Sequence, residues 1–68
     1  MILQQVGMRV RELRKAKGLS QEKFALQANI DRTYLAGIES GKRNPSLKNL
    51  EKILNTLDVS FCEFFQDM

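Results

Sequence analysis

The sequence predicts an all-α domain, a compact bundle of five short helices that takes up all 68 residues. Three observations carry that reading. Apolar residues recur at steps of three and four, and no stretch shows the period of two that a half-buried strand requires. Good helix N-caps, Ser20, Asp31, Ser46 and Ser60, stand just ahead of four of the periodic segments. Gly18, Asn29, Gly41 and the single proline, Pro45, fall between segments, where the chain must stop being helical.

The elements follow in order. Leu3, Val6, Val10 and Leu13 mark the buried stripe of a first helix, with Arg9, Arg11, Glu12, Lys15 and Lys17 on its other faces and Gly18 ending it. Ser20 caps a second helix over about residues 21–28 that turns Phe24, Ala25 and Ala28 inward. Asn29 suits the turn, being one of the few residues other than glycine that tolerate a left-handed backbone. Asp31 caps a third helix over about 32–40, which buries Leu35 and Ile38 and stops at Gly41. Residues Lys42 to Pro45 form a loop, since proline biases the preceding residue away from helix. Ser46 caps a fourth helix with the stripe Leu47, Leu50, Ile53, Leu54 and Leu57. Val59 leads into a last helix that opens on Ser60-x-x-Glu63, a capping box.

Composition narrows the function classes. A chain this short buries only about 60% of its extended surface, so its core is marginal and self-association is expected to help. One cysteine and no histidine exclude internal disulfides and the usual zinc ligand sets. Cys62, among Phe61, Phe64 and Phe65, reads first as a small buried hydrophobe, with a reactive or disulfide-forming thiol as the alternative. No apolar run approaches the roughly 20 residues of a membrane span, and the N-terminus lacks a signal-peptide pattern; a soluble cytoplasmic protein is expected. Without a histidine, a glycine-rich phosphate loop or a plausible carboxylate pair, an enzyme is the weakest reading, and no cofactor, metal or small-molecule effector is expected. The net charge of +3 hides an asymmetry: nine Lys/Arg against four Asp/Glu up to Arg43, then two against four from Asn44 onward. The first part is basic, as a phosphate-facing surface should be.

Two short helices at a fixed angle, the second polar on its outer face, make a device for entering the major groove of DNA. With Leu35 and Ile38 committed to the core, Arg32, Thr33, Ala36 and Gly37 face outward. Arg32 can donate two bonds to a guanine edge, and Thr33 can offer a hydroxyl or a methyl group. Ala36 and Gly37 are small enough to let the helix seat deeply, although Gly37 can equally make room for a neighbouring side chain. Tyr34, on the flank, suits either a DNA contact through its hydroxyl or closure of the core edge. Ser40 lies near the helix end, within reach of phosphate. Gln21 can offer phosphate both its side chain and a helix N-terminal N–H.

The run from VRELRKAKGLSQEKFA through ESGKRNPSLKNLEKI to VSFCEFF resembles the lambda-repressor-like (Cro/CI, XRE) helix-turn-helix family. DRTYLAGIESGKRNPSL also resembles the controller proteins of restriction–modification operons. The resemblance implies a five-helix DNA-binding fold with its helix-turn-helix over about 21–40. It further implies phosphate contacts by Gln21 and by the loop residues Lys42, Arg43 and Asn44. It also implies an ion pair between Arg14 and Glu39 that fixes the angle between helices.

A single recognition helix reads few base pairs, so two half-sites read by a two-fold dimer are expected. Three of the four phenylalanines crowd the C-terminal end. Leu57, Val59, Phe61, Phe64 and Phe65, in a dimerisation region over about 57–68, are the candidate interface. The expected function is a homodimeric, autoregulatory transcriptional regulator on a palindromic operator in double-stranded DNA, with RNA polymerase a further partner. A phage or mobile-element repressor and an antitoxin-type protein-interaction module are the alternatives.

Overall fold

The computed structural model describes residues 1–68. Its elements are α1 (Ile2–Ala16), α2 (Gln21–Ala28), α3 (Arg32–Glu39), α4 (Leu47–Leu57) and α5 (Phe61–Phe65), with no strand. Each boundary has a local cause. The Ser20 hydroxyl accepts the Lys23 N–H, Asp31 the N–H groups of Thr33 and Tyr34, and Ser46 the N–H of Asn49. These bonds satisfy amide groups that the first turn of a helix leaves without partners. Asn29 ends α2 in the left-handed region at φ 58°, and Gly41 turns the chain away from α3 at φ 79°.

Twelve apolar side chains drawn from all five helices form one core, with Phe24, Leu35, Ile38, Ile53, Leu54 and Phe64 essentially sealed from solvent. Helix α3 packs on α1 and α2, while α4 packs on α2 and α1 and carries α5. Helix α3 is thus gripped from behind by two helices. No helix is long and apolar enough to cross a membrane.

Several burial expectations are corrected. Leu47 is 78% exposed instead of lying in the α4 stripe. Helical side chains lean toward the N-terminus, so that of the first residue overhangs the helix end. There it lines an apolar groove of about 430 Å³ with Met1, Ile2, Leu3 and Phe65. Cys62 is exposed, not buried. It lies about 200° around α5 from Phe64, which takes the core position. Of the candidate dimer residues, Leu57 and Phe64 belong to the monomer core and are unavailable to a partner. Phe61 is 41% exposed, and Val59 and Phe65 are half-buried.

At five residues α5 is too short to hold its conformation alone. Phe64 anchors it in the core. Its N-terminus is closed by a reciprocal box in which Ser60 Oγ accepts the Glu63 N–H and Glu63 Oε1 accepts the Ser60 N–H, each at 3.0 Å. The bond from the Ser60 backbone, with a lesser contribution from its side chain, holds the Glu63 carboxyl below the usual range. A carboxylate depressed on folding stabilises the cap above its unfolded pKa, and that contribution is lost as pH falls through the folded pKa. We therefore expect α5 to loosen on acidification, seen as faster exchange of the Glu63 and Phe64 amides. Equal acid sensitivity in Glu63→Gln would refute this.

Candidate nucleic-acid interface

With Leu35 and Ile38 in the core, the rotation of α3 is set and its first turn points outward. Asp31 Oδ1 accepts from Thr33 N at 2.7 Å and Tyr34 N at 3.3 Å, so the start of the helix is held in place. Arg32 and Thr33 are exposed there, and no carboxylate pairs with the Arg32 guanidinium. Arg32 lines an open cleft of about 490 Å³ together with Arg14, Ser20, Gln21 and Glu22, with no apolar side chain in its wall. The cleft joins the start of α2 to the start of α3.

Behind the cleft sits a buried polar network. Arg14 donates from Nε to Glu39 Oε2 at 2.7 Å, from Nη2 to Glu39 Oε1 at 3.0 Å, and from Nη1 to the Leu19 carbonyl at 2.7 Å. This is the two-pronged geometry that makes arginine–carboxylate pairs strong. Gln21 Nε2 adds a fourth bond, to Glu39 Oε1 at 3.1 Å. Gln21 is therefore anchored to the recognition helix, leaving one amide N–H and its carbonyl for a ligand. The α1–α3 brace and the Gln21 amide share one anchor, Glu39.

The flank of α3 that lies under the following loop is organised differently. The Arg43 guanidinium lies 5.6 Å from the centre of the Tyr34 ring, a cation–π arrangement. Tyr34 is half-buried and its hydroxyl accepts from Asn49 Nδ2 at 3.2 Å. It thus closes the core edge while keeping a phenolic proton to donate. Of the two readings left open for Gly37, the structure shows room made for a neighbour: it is a seat for Arg43. A Cβ there would run into Arg43 Cγ, with Arg43 Cβ only 3.3 Å away. The Gly37 carbonyl accepts from the N–H groups of Lys42 and Arg43 and from the Ser40 hydroxyl, so one peptide group folds the loop back over the helix. Ala36 is half-buried, whereas Ser40 and Lys42 are exposed beside this turn. Asn44, next to Arg43, is exposed and borders the apolar groove with Pro45 and Leu47.

This arrangement predicts an outcome for Gly37→Ala. Helix propensity gains roughly 1 kcal/mol and loss of the Arg43–Tyr34 contact costs about as much; Arg43 must also swing aside from near the base of its side chain, so only a small net loss of stability is expected. Arg43 would nevertheless lose its seat. DNA affinity should fall about tenfold and the slope of log K against log salt should shrink by about one. An unchanged salt slope would show that Arg43 does not reach DNA.

Some features left no signal in the residue pattern. Gly7 sits buried where α1 crosses the end of α3. Arg9 reaches from α1 to α5, and Asn49 from α4 to Tyr34.

Comparison with known proteins agrees with this geometry. Residues 10–64 match the helix-turn-helix family HTH_3. Control protein C.MunI from a Mycoplasma species is 52% identical over 63 residues, covering 91% of this chain and 85% of that protein. The crystal structure of the restriction–modification controller protein C.AhdI from Aeromonas hydrophila superposes with a TM-score of 0.88 at 49% identity, covering 93% of this chain and 96% of that one. The controller protein C.Esp1396I, solved as a tetramer in complex with its natural 35 base-pair operator, gives a TM-score of 0.89 at 41% identity over 97% of this chain and 87% of that one. The chain belongs to the helix-turn-helix family of DNA-binding transcriptional regulators.

Proposed function

We propose that this chain is a homodimeric, sequence-specific regulator of transcription, an autoregulatory controller of a restriction–modification operon that acts by occupying a palindromic operator. The observation that carries the reading is the first turn of α3. An unpaired arginine projects from a capped helix start into a polar cleft shared with Gln21. Similarity to controller proteins, one of them solved on its operator, supports the choice of operon. Arg32 would read a base pair; Thr33 and Tyr34 would flank it; Gln21, Ser40, Lys42 and Arg43 would hold phosphates. Occupancy at one site would block polymerase and at another recruit it, with dimerisation setting the protein concentration at which either happens. The exposed part of the C-terminal cluster, Phe61 with Val59 and Phe65, would supply the dimer contact.

The test is binding to DNA from upstream of its own gene, at several salt concentrations and with excess non-specific competitor. Wild type should bind tightly through competitor, and Arg32→Ala should lose at least about tenfold. Salt-sensitive binding to any DNA, equal in both proteins, would sink the sequence-reading role.

A further inference from the structure

Arg9 stands half-buried on α1, at the edge of the face that carries Val6 and Val10 toward the core. Its guanidinium crosses to the end of α5, donating from Nη1 to the Phe64 carbonyl at 3.0 Å and from Nη2 to the Gln66 carbonyl at 3.3 Å. These oxygens belong to the last turn of α5 and the residues after it, where a helix leaves carbonyls without internal partners. A positive charge there also suits the negative end of the peptide dipoles. No carboxylate competes, since the only ion pair in the chain is Arg14–Glu39.

We propose that Arg9 is a positioning residue for dimerisation: it pins the C-terminal helix so that Phe61 and Phe65 face a second copy in a fixed orientation. The inference rests on the C-terminal interface proposed above. Arg9 is not one of the contact residues; it acts through α5. The physical need is plain. Five residues carry one fully buried anchor, Phe64, a half-buried Phe65 packed against the core edge, and an N-terminal cap; without Arg9 the far end of the helix and Gln66 to Met68 have no side-chain hydrogen bond to the rest of the domain. A frayed α5 would have to be ordered on association, and that entropy would weaken the dimer. Because α1 also packs on α3, the tether joins the dimer helix to the same element that supports the recognition helix. The spacing of two recognition helices across a dimer would then depend on Arg9.

The experiment compares Arg9→Ala, Arg9→Lys and Phe61→Ser with the full-length wild type. Dimer dissociation is measured by sedimentation equilibrium, and amide exchange is read helix by helix. Arg9→Ala should weaken the dimer at least about tenfold. The Phe64 and Gln66 amides should exchange faster while the protection of α1 to α4 is retained. Arg9→Lys keeps the charge but cannot bond both carbonyls as a planar fork, so most of the loss should remain. Phe61→Ser should also weaken the dimer, without loosening α5. If Phe61→Ser leaves the dimer intact, the C-terminal interface fails and the inference with it. If Phe61→Ser disrupts the dimer but Arg9→Ala does not, the interface stands and Arg9 has no positioning role. Uniform loss of protection across all helices in both Arg9 variants would reduce Arg9 to general fold support.

Discussion

Replacing Glu39 by alanine should lower the stability of this domain by about 3–5 kcal/mol, the cost of leaving a buried charge without its partner. Arg14 would keep only the Leu19 carbonyl as an acceptor, in a site where both partners' side chains are more than nine-tenths buried. For 68 residues the whole folding free energy is roughly 3–10 kcal/mol, so the loss takes a large share of it. The melting temperature should fall by at least about 12 °C. A second consequence separates this network from a simple brace. Gln21 bonds to the same carboxylate, so the variant should also bind DNA more weakly below its melting point, uniformly across sequences. Base preference, which the proposed function assigns to Arg32, should stay as it was. Arg14→Met with Glu39→Leu tests the cause, because removing both charges should recover most of the stability and none of the Gln21 anchoring. A Glu39→Ala protein that melts like wild type would show that the pair has no structural role.

What could be read from the residues divides cleanly by distance along the chain. The caps at Ser20, Asp31, Ser46 and Ser60 bind amides two or three residues away, so their signals are local and legible. The core positions of α2 and α3 follow from a single periodicity. The division of the phenylalanines did not follow, because α5 spans little more than one turn and its orientation is decided by α4 and by Arg9, whose bonds close loops of 55 and 57 residues. Gly37 illustrates the same limit. A small residue on an outward face fits a groove or a neighbour equally well, and only the return of the loop shows that the neighbour is Arg43. Arg14 and Glu39, 25 residues apart, could be paired through a family resemblance but by no rule of spacing.

Gly7→Ala should be the most damaging change that adds a single carbon. In an exposed helix interior the same substitution stabilises by roughly 1 kcal/mol, because alanine loses less backbone entropy. Here a Cβ would run into the Ile38 carbonyl oxygen and lie 2.8 Å from that of Glu39. Both obstacles are backbone in the last turn of α3, so no rotamer change relieves them, and α1 must move off the helix it supports. Such overpacking costs about 3 kcal/mol, leaving a net loss of about 2 kcal/mol and a melting temperature lower by about 8–16 °C. The displacement falls next to Glu39, so the recognition helix and Gln21 would shift with it, and DNA affinity should drop even where the protein remains folded. Gly37 is the internal control. It occupies a helix interior too, but what fills its missing side chain is the flexible Arg43. The two alanine variants should therefore part company in a thermal melt, Gly7→Ala falling well below wild type and Gly37→Ala staying close to it. A Gly7→Ala protein that melts at or above wild type would mean that α1 and α3 have room to separate, and the close crossing could then no longer be what sets the position of the recognition helix.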